Sequence, residues 1–147
     1  ACCTKREGDN NGLMIMVKVT AGLIHRDGKF LIGKRLPTKA YPNQWEFPGG
    51  KIESGETGEE CLQREIKEEF DIAIAVSRSF FQWDFTYPDG KEFSFYSYWC
   101  EVVSGEPKLL AHAELKWVAK EKLTEIDFLD ADKILVQQLL HEKETPR

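Results

Sequence analysis

The sequence predicts one α+β domain in which α-helices pack on a mixed β-sheet. Residues 14–25 are rich in Val, Ile and Leu, as expected for a buried strand. In residues 72–86, large apolar side chains alternate with small or polar ones, which indicates a strand with one buried face. Residues 57–71 and 129–143 instead place apolar side chains at helical spacing. The predicted order is therefore strands, helix, strands, helix, without an internal repeat or a linker.

The first part of the predicted sheet begins as a hairpin. Asp27-Gly28 is typical of a tight β-turn, and FLIGKR at residues 30–35 then returns as a second strand. Residues 36–44 contain two prolines and are predicted to form a loop. The short extended piece WEF follows and leads the chain into Pro48-Gly49-Gly50.

The first predicted helix has a clear start and a less clear end. Thr57 can cap it, and Glu60, three residues later, completes a capping box. The helical pattern ends near Phe70 or Asp71. An aspartate tolerates the left-handed turn that often ends a helix less well than glycine does.

The second part of the sheet is rich in aromatic residues. Four of them are spaced by two and are expected to share one strand face: Phe81, Trp83, Phe85 and Tyr87. YPDGK at residues 87–91 predicts a tight turn, and residues 93–103 predict the next strand. LKWV at residues 115–118 predicts a short strand before the last helix.

Composition indicates an ordinary globular protein and bounds its partners. The 147 residues are 41% hydrophobic and 31% charged, which suits one domain with a core. The net charge of −5 argues against binding along a nucleic-acid polymer. No apolar run approaches the roughly 20 residues of a membrane span, and ACCTKREGDNNG lacks the pattern of a signal peptide. We therefore expect a cytoplasmic monomer or homodimer without a membrane partner.

The predicted domain boundaries follow from the same patterns. We expect a disordered or extended N-terminal tail at residues 1–12, one folded domain at residues 13–141 and a C-terminal tail at residues 142–147.

Carboxylates are crowded on one side of the first predicted helix. Glu65, Glu68 and Glu69 fall within an arc of roughly 100° beside the apolar stripe of the helix. Each like-charged pair at this spacing costs about 0.2–0.5 kcal/mol. Lys67 points away from them, whereas Arg64 can reach Glu60 and Glu68 and offsets only part of the repulsion.

A solvent-exposed acidic face would explain why the helix carries many glutamates, but not where on the helix they lie. The acids lie next to the apolar stripe and directly follow a glycine-rich turn, whose backbone can approach a ligand closely. Oxygen-only ligands of this kind suit Mg²⁺ or Mn²⁺, which bind through carboxylates, water and substrate phosphate. The spacing therefore predicts a site for a divalent cation.

Residues 50–72 resemble the Nudix box of the Nudix hydrolases, G-x5-E-x7-R-E-U-x-E-E-x-G-U, where U is apolar. The matching positions are Gly50, Glu56, Arg64, Glu65, Ile66, Glu68, Glu69 and Ile72, and Asp71 replaces the usual glycine. The wider chain, from about residue 13 to 141, is similar to the MutT-type branch that cleaves nucleoside triphosphates. This resemblance implies a mixed sheet between helices, an α/β/α sandwich.

The same resemblance implies an activity and a set of roles. A MutT-type enzyme uses Mg²⁺ (or Mn²⁺) and water to convert a nucleoside triphosphate to a monophosphate and pyrophosphate. Glu65, Glu68, Glu69 and the carbonyl of Gly49 would then hold the metal. Arg64 would orient the carboxylates, and Glu56 would support the junction between loop and helix. Catalytic importance is thus expected for Glu56, Arg64 and the three helix carboxylates.

The chain departs from the family where MutT-type proteins often carry a further glutamate before the strand LKWV. The matching position is Ala111, followed by His112. Three alternatives remain open at this stage: Glu114 takes over, the box alone carries the chemistry, or activity is weakened to nucleotide binding. His112 is either a surface residue or a participant.

Substrate contacts are expected from two groups of residues. Arg35 and Lys51, together with Lys34, could meet phosphate oxygens. Phe81, Trp83, Phe85 and Tyr96 are candidates either for stacking on a base or for the core. The resemblance places Asp132 at the base edge, where an ionised carboxylate would favour an exocyclic amino group, although Asp132 could instead cap the last helix. The expected substrate is a CTP-like or an oxidised purine nucleotide such as 8-oxo-dGTP, with ADP-ribose-like diphosphates as the alternative.

Overall fold

The computed structural model describes residues 3–5 and 15–143. The elements in these ranges are, in chain order, β1 (Cys3–Lys5), β2 (Ile15–Arg26), β3 (Lys29–Lys34), β4 (Trp45–Glu46), α1 (Gly58–Phe70), β5 (Ala73–Thr86), β6 (Glu92–Ser104), β7 (Glu114–Ala119), a 3-10 helix (Lys120–Glu125) and α2 (Asp130–His141). Every strand and α-helix predicted from the sequence is present. The 3-10 helix is an addition, because its charged sequence carries no helical apolar pattern.

The sheet is mixed, as predicted. Its strand order is β4-β3-β2-β6-β5, with β1 added to β2 and β7 added to β3. The central pair, β2 and β6, runs parallel, and the other pairs are antiparallel. The long strand β2 pairs with β6 along most of its length and turns at Asp27-Gly28 into the predicted hairpin with β3.

Two hydrophobic cores lie on opposite faces of the sheet. Neighbouring residues of β2 point to opposite sides because side chains alternate along a strand. Leu23 faces the core that contains Leu135 of α2, and Ile24 faces the core that contains Ile66 of α1. The sheet therefore lies between the two helices, which confirms the α/β/α arrangement.

Helix α1 begins as its sequence predicts. Thr57 accepts a hydrogen bond from the backbone N–H of Glu60, and the Glu60 side chain accepts one from the N–H of Thr57. The helix ends at Phe70, and Asp71 adopts the left-handed conformation (φ 53°) usually taken by glycine. Lys67 and Lys108 donate to its carboxylate at 2.7 and 2.9 Å, which lowers the pKa of Asp71 to about 2. The aspartate thus has local partners that glycine would not have.

The predicted tails lie mostly outside the described residues. Residues 3–5 of the expected N-terminal tail form β1, and residues 1–2, 6–14 and 144–147 are not described. None of the helices in the described ranges has the length and apolar character that a membrane crossing requires.

Candidate active site

A cavity of about 640 Å³ lies beside the Pro48-Gly49-Gly50 turn. It has an acid half, formed by the turn and by Glu65 and Glu69 of α1. The other half is called the base half, because the nucleobase is expected beside Asp132. It is formed by Tyr41, Tyr87, Phe93, Phe95, Leu129 and Asp132. Residues 19–21 of β2 connect the two halves.

The turn can approach β2 and α1 only because it contains two glycines. The N–H groups of Thr20 and Gly22 donate to the carbonyls of Gly50 and Pro48 at 2.8 and 2.7 Å. A Cβ at Gly49 would lie 2.0 Å from the Thr20 carbonyl oxygen, and one at Gly50 would lie 2.3 Å from the Glu65 carboxyl carbon. Among the described residues, none donates a hydrogen bond to the Gly49 carbonyl. That oxygen is therefore open to another partner.

Arg64 is the centre of the acid half. Its guanidinium donates to both oxygens of Glu56 at 2.9 and 2.7 Å, and the Glu56 carboxylate also accepts from the N–H of Glu53. These bonds lower the pKa of Glu56 to about 2, with the hydrogen bond from Arg64 as the largest cause. Another Arg64 nitrogen donates to Glu65 and to Glu68 at 2.9 and 3.1 Å. The expected contact with Glu60 is wrong, because that side chain closes the capping box instead.

The three helix carboxylates have different environments. Glu69 is half-buried, and its Oε1 is buried without a hydrogen-bond partner among the described residues. Burial raises the pKa of Glu69 well above its ordinary value, and the charges of Glu46 and Glu65 raise it further. Glu65 lines the cavity, whereas Glu68 is largely exposed and forms an ion pair with Arg64.

These carboxylates are not gathered into a ready-made metal cluster. Within residues 3–5 and 15–143, no group of three or more His, Cys, Asp or Glu side chains is close enough to hold a metal ion. The donor set nevertheless suits a hard cation, because a buried carboxylate oxygen without a partner is costly unless something positive meets it. The metal ligation expected from the resemblance remains a prediction.

Glu46 is a functional candidate that the sequence reasoning missed. It lies on the two-residue strand β4, lines the cavity, and accepts hydrogen bonds from Arg35 at 2.9 Å and His112 at 2.8 Å. The only sequence signal was its place immediately before Phe47-Pro48. Ala111 and His112 also line the cavity, whereas Glu114 is exposed on β7 and does not. His112 is buried, so the alternative of a surface histidine is wrong.

Asp132 lies deep in the base half. Its side chain is buried and accepts a hydrogen bond from the N–H of Phe47 at 2.8 Å. Burial is the main cause that raises the pKa of Asp132 to about 8, and the charge of Glu46 adds to it. The alternative that Asp132 caps α2 is wrong, because Leu129 occupies the N-cap position without a side-chain bond.

The other expected substrate contacts are only partly brought together. Lys51 lines the cavity and is exposed. Arg35 lines it too, but two of its nitrogens are bonded to the carbonyl of Ala40 and to Glu46. Phe81 is not among the residues lining this cavity; it stacks on Trp83 with ring centroids 5.4 Å apart and borders a separate depression. Lys39 and Lys91 do line the cavity, although no sequence pattern pointed to them.

Comparison with known proteins identifies the family. The NUDIX domain matches residues 15–139, which covers both halves of the cavity. The chain belongs to the Nudix family. A protein named 8-oxo-dGTP diphosphatase from Haemophilus influenzae is 34% identical over 128 residues, or 86% of this chain and 93% of the relative. A shorter match of 63 residues, 41% identical, links 43% of the chain to 47% of the CTP pyrophosphohydrolase of Escherichia coli.

Solved structures support the same assignment within the family. The solution structure of the E. coli ORF135 protein is 28% identical, with a TM-score of 0.76 over 87% of this chain and 91% of that one. The crystal structure of a MutT Nudix hydrolase from Burkholderia pseudomallei is 29% identical, with a TM-score of 0.75 over 82% and 95% of the two chains. This Nudix protein is therefore a MutT-type hydrolase acting on acid anhydrides, and Nudix hydrolases generally use divalent metal cations.

Proposed function

We propose that this Nudix hydrolase cleaves a nucleoside triphosphate to a nucleoside monophosphate and pyrophosphate with Mg²⁺, or Mn²⁺ in its place. The observation that carries the proposal is the buried, partnerless Oε1 of Glu69 beside the Gly49-Gly50 turn. A protein that did not bind a cation there would gain stability by replacing this carboxyl group, since a buried oxygen without a partner costs free energy and no Lys or Arg within residues 3–5 and 15–143 pairs with it.

The residues that would hold the metal are Glu65, Glu69 and the carbonyl of Gly49, with Glu68 joining them after it leaves Arg64. When bound, the cation neutralises phosphate charge and lowers the pKa of the attacking water. Arg64 keeps Glu65 in place and, through Glu56, anchors the loop before α1. Lys51 supplies a positive charge for phosphate oxygens at the rim of the same half.

Asp132 is proposed to read the base. A carboxyl group with a pKa of about 8 is protonated at neutral pH, so it can donate as well as accept a hydrogen bond. The proposal differs in this from the sequence-based expectation, which considered only the ionised, accepting carboxylate. A base edge with a donor next to an acceptor is complementary to it, and cytosine offers one through its exocyclic amino group and N3. The names of the relatives favour the same two substrate candidates, CTP-like and 8-oxo-dGTP-like nucleotides.

A panel of nucleotides with Mg²⁺ tests the proposal. The panel contains CTP, dCTP, 8-oxo-dGTP, GTP, ATP and ADP-ribose, and chromatography identifies the products. We expect the monophosphate and pyrophosphate from at least one triphosphate, with no turnover after chelation of the metal. Release of a sugar phosphate from ADP-ribose alone would assign the alternative substrate class. Binding without any product would mean that the domain has lost turnover.

A further inference from the structure

Glu46 occupies the boundary between the two halves of the cavity and is held at both oxygens. Oε1 accepts from Arg35 and Oε2 from Nε2 of His112. Its backbone is fixed as well, because β4 pairs with β3 and the backbone of Trp45 bonds to Asp127 and Leu129. The side chain is only 22% exposed, so its carboxylate has little freedom to turn away.

His112 is built into the fold in a way that fixes its ring. The imidazole stacks on Phe70, the last residue of α1, with ring centroids 5.2 Å apart and an angle of 12°. It also lies against Gly33, where a Cβ would come within 2.6 Å of the ring. Position 33 must therefore be glycine for His112 to occupy this place.

The hydrogen-bond partners of His112 determine which nitrogen carries its proton. Nδ1 is buried and has no partner among the described residues. A proton on Nδ1 would be a buried donor without an acceptor and would leave Nε2 facing the Glu46 carboxylate with a lone pair. Nε2 therefore carries the proton and donates it to Glu46.

Glu46 lies near the acid half. Glu46 and Glu69 line the same cavity, and His112, which bonds to Glu46, stacks on Phe70, the residue that follows Glu69. Ala111, at the position where an acid is expected, lines the cavity but carries no charge, and Glu114 is exposed outside it. Glu46 thus brings a carboxylate from outside α1 to the part of the cavity that Ala111 lines.

We propose that Glu46 supplies the charge that Ala111 lacks, and that His112 is a positioning residue that acts through Glu46. Because both carboxylate oxygens already accept hydrogen bonds, Glu46 acts on the divalent cation by its charge and through water rather than as a direct ligand. The inference deepens the proposed function and rests on its metal assignment. It adds two residues that neither the family pattern nor the sequence analysis assigned to metal binding.

The test measures binding of Mn²⁺ alone to the whole chain, by electron paramagnetic resonance of the free ion, without nucleotide. Glu46→Gln keeps the shape and removes the charge, and it should weaken Mn²⁺ binding roughly fivefold or more. His112→Phe keeps an aromatic ring stacked on Phe70 but removes the N–H that donates to Glu46. It should also weaken Mn²⁺ binding. His112→Gln restores an N–H donor and should stay within about twofold of the wild type. The double variant Glu46→Gln/His112→Phe should bind no more weakly than Glu46→Gln, because His112 acts through Glu46.

The matched control is Glu114→Gln, which removes a carboxylate from the neighbouring strand and should leave Mn²⁺ binding unchanged. Equal affinities for Glu46→Gln and the wild type would overturn the proposal, as would additive effects in the double variant. If His112→Phe does not fold, Glu46→Asp is measured in its place. This variant keeps the charge at position 46 but shortens the side chain that reaches His112. An Mn²⁺ affinity of Glu46→Asp equal to that of the wild type would also overturn the proposal. A wild type that binds no Mn²⁺ would instead refute the metal assignment itself.

Discussion

The two halves of the cavity are built differently. The acid half comes from one continuous stretch, residues 49–69, in which a turn and one helix carry its glycines and most of its carboxylates. The base half is assembled from three separated segments: the loop at residues 36–44, the β5–β6 turn with the first part of β6, and the start of α2. Spacing along one helix can be read from sequence, whereas the meeting of distant segments depends on the whole fold.

The two halves also differ in how well their polar groups are satisfied. In the acid half, Glu69 is half-buried, its Oε1 has no hydrogen-bond partner among the described residues, and Arg64 holds Glu65 and Glu68. In the base half, Asp132 is more deeply buried but accepts a hydrogen bond from the N–H of Phe47. The pKa of both carboxyl groups is raised, so the two halves differ in the backbone donor that Asp132 has and that Oε1 of Glu69 lacks.

The largest expected effect comes from Glu69→Gln. It keeps the shape of the side chain but removes the charge proposed to meet the cation, so kcat should fall about a hundredfold or more. The thermal unfolding midpoint without metal should not fall, since the carboxylate has no partner to lose. Initial rates with Mg²⁺ and thermal denaturation measure the two quantities. Wild-type turnover by the variant would exclude Glu69 from metal binding.

Arg64→Lys should have the next largest effect. A lysine cannot reproduce the two-pronged bond to Glu56 while also holding Glu65, so the free energy of unfolding should fall by about 1–3 kcal/mol. The rate should fall as well, because the loop before α1 and Glu65 lose a shared anchor. Urea denaturation and kcat give both values. The idea of Arg64 as the centre of the acid half requires that both decrease.

The base half is tested by the pH dependence of stability in Asp132→Asn. The native pKa of about 8 lies above the ordinary value of 3.8, so the native state keeps a proton that the unfolded state releases between these pH values. The unfolding free energy should therefore fall as pH rises from about 4 to 8, by at most about 1.4 kcal/mol per pH unit from this group. The asparagine variant lacks this contribution.

Urea denaturation of both proteins at pH 5, 7 and 9 measures that contribution. The wild type should lose stability relative to Asp132→Asn across the series. A difference that does not vary with pH would mean that Asp132 ionises normally in the native protein.

The smallest effect is expected at the position where the family often has an acid. Ala111→Glu restores that acid, and from the sequence alone a gain in rate would be expected. Because Glu46 already supplies charge there, we now expect kcat to change by less than about twofold. A clear gain in kcat would show that the missing acid has not been replaced.

The same contrast explains which elements and site residues could be predicted from the sequence. The capping box at Thr57 and the carboxylates of α1 depend on contacts within about four residues, and their elements were predicted in place. Glu46 was missed because its partners are distant along the chain. Arg35 follows the end of β3, and His112 lies in the segment before β7. Phe81 was a candidate either for stacking on a base or for the core, and it packs against the core outside the main cavity. Alternation along β5 identifies a buried face but not the cavity that this face borders.

The central claim is that the carboxylates of α1 and the Gly49 carbonyl hold a divalent cation. The most direct measurement is a crystal structure of the protein soaked in Mn²⁺, with anomalous scattering to locate the ion, with and without a non-hydrolysable nucleoside triphosphate analogue. We predict an Mn²⁺ ion in contact with Glu69 and with Glu65 or the Gly49 carbonyl. An ordered nucleotide bound with no ion near these residues would contradict the account.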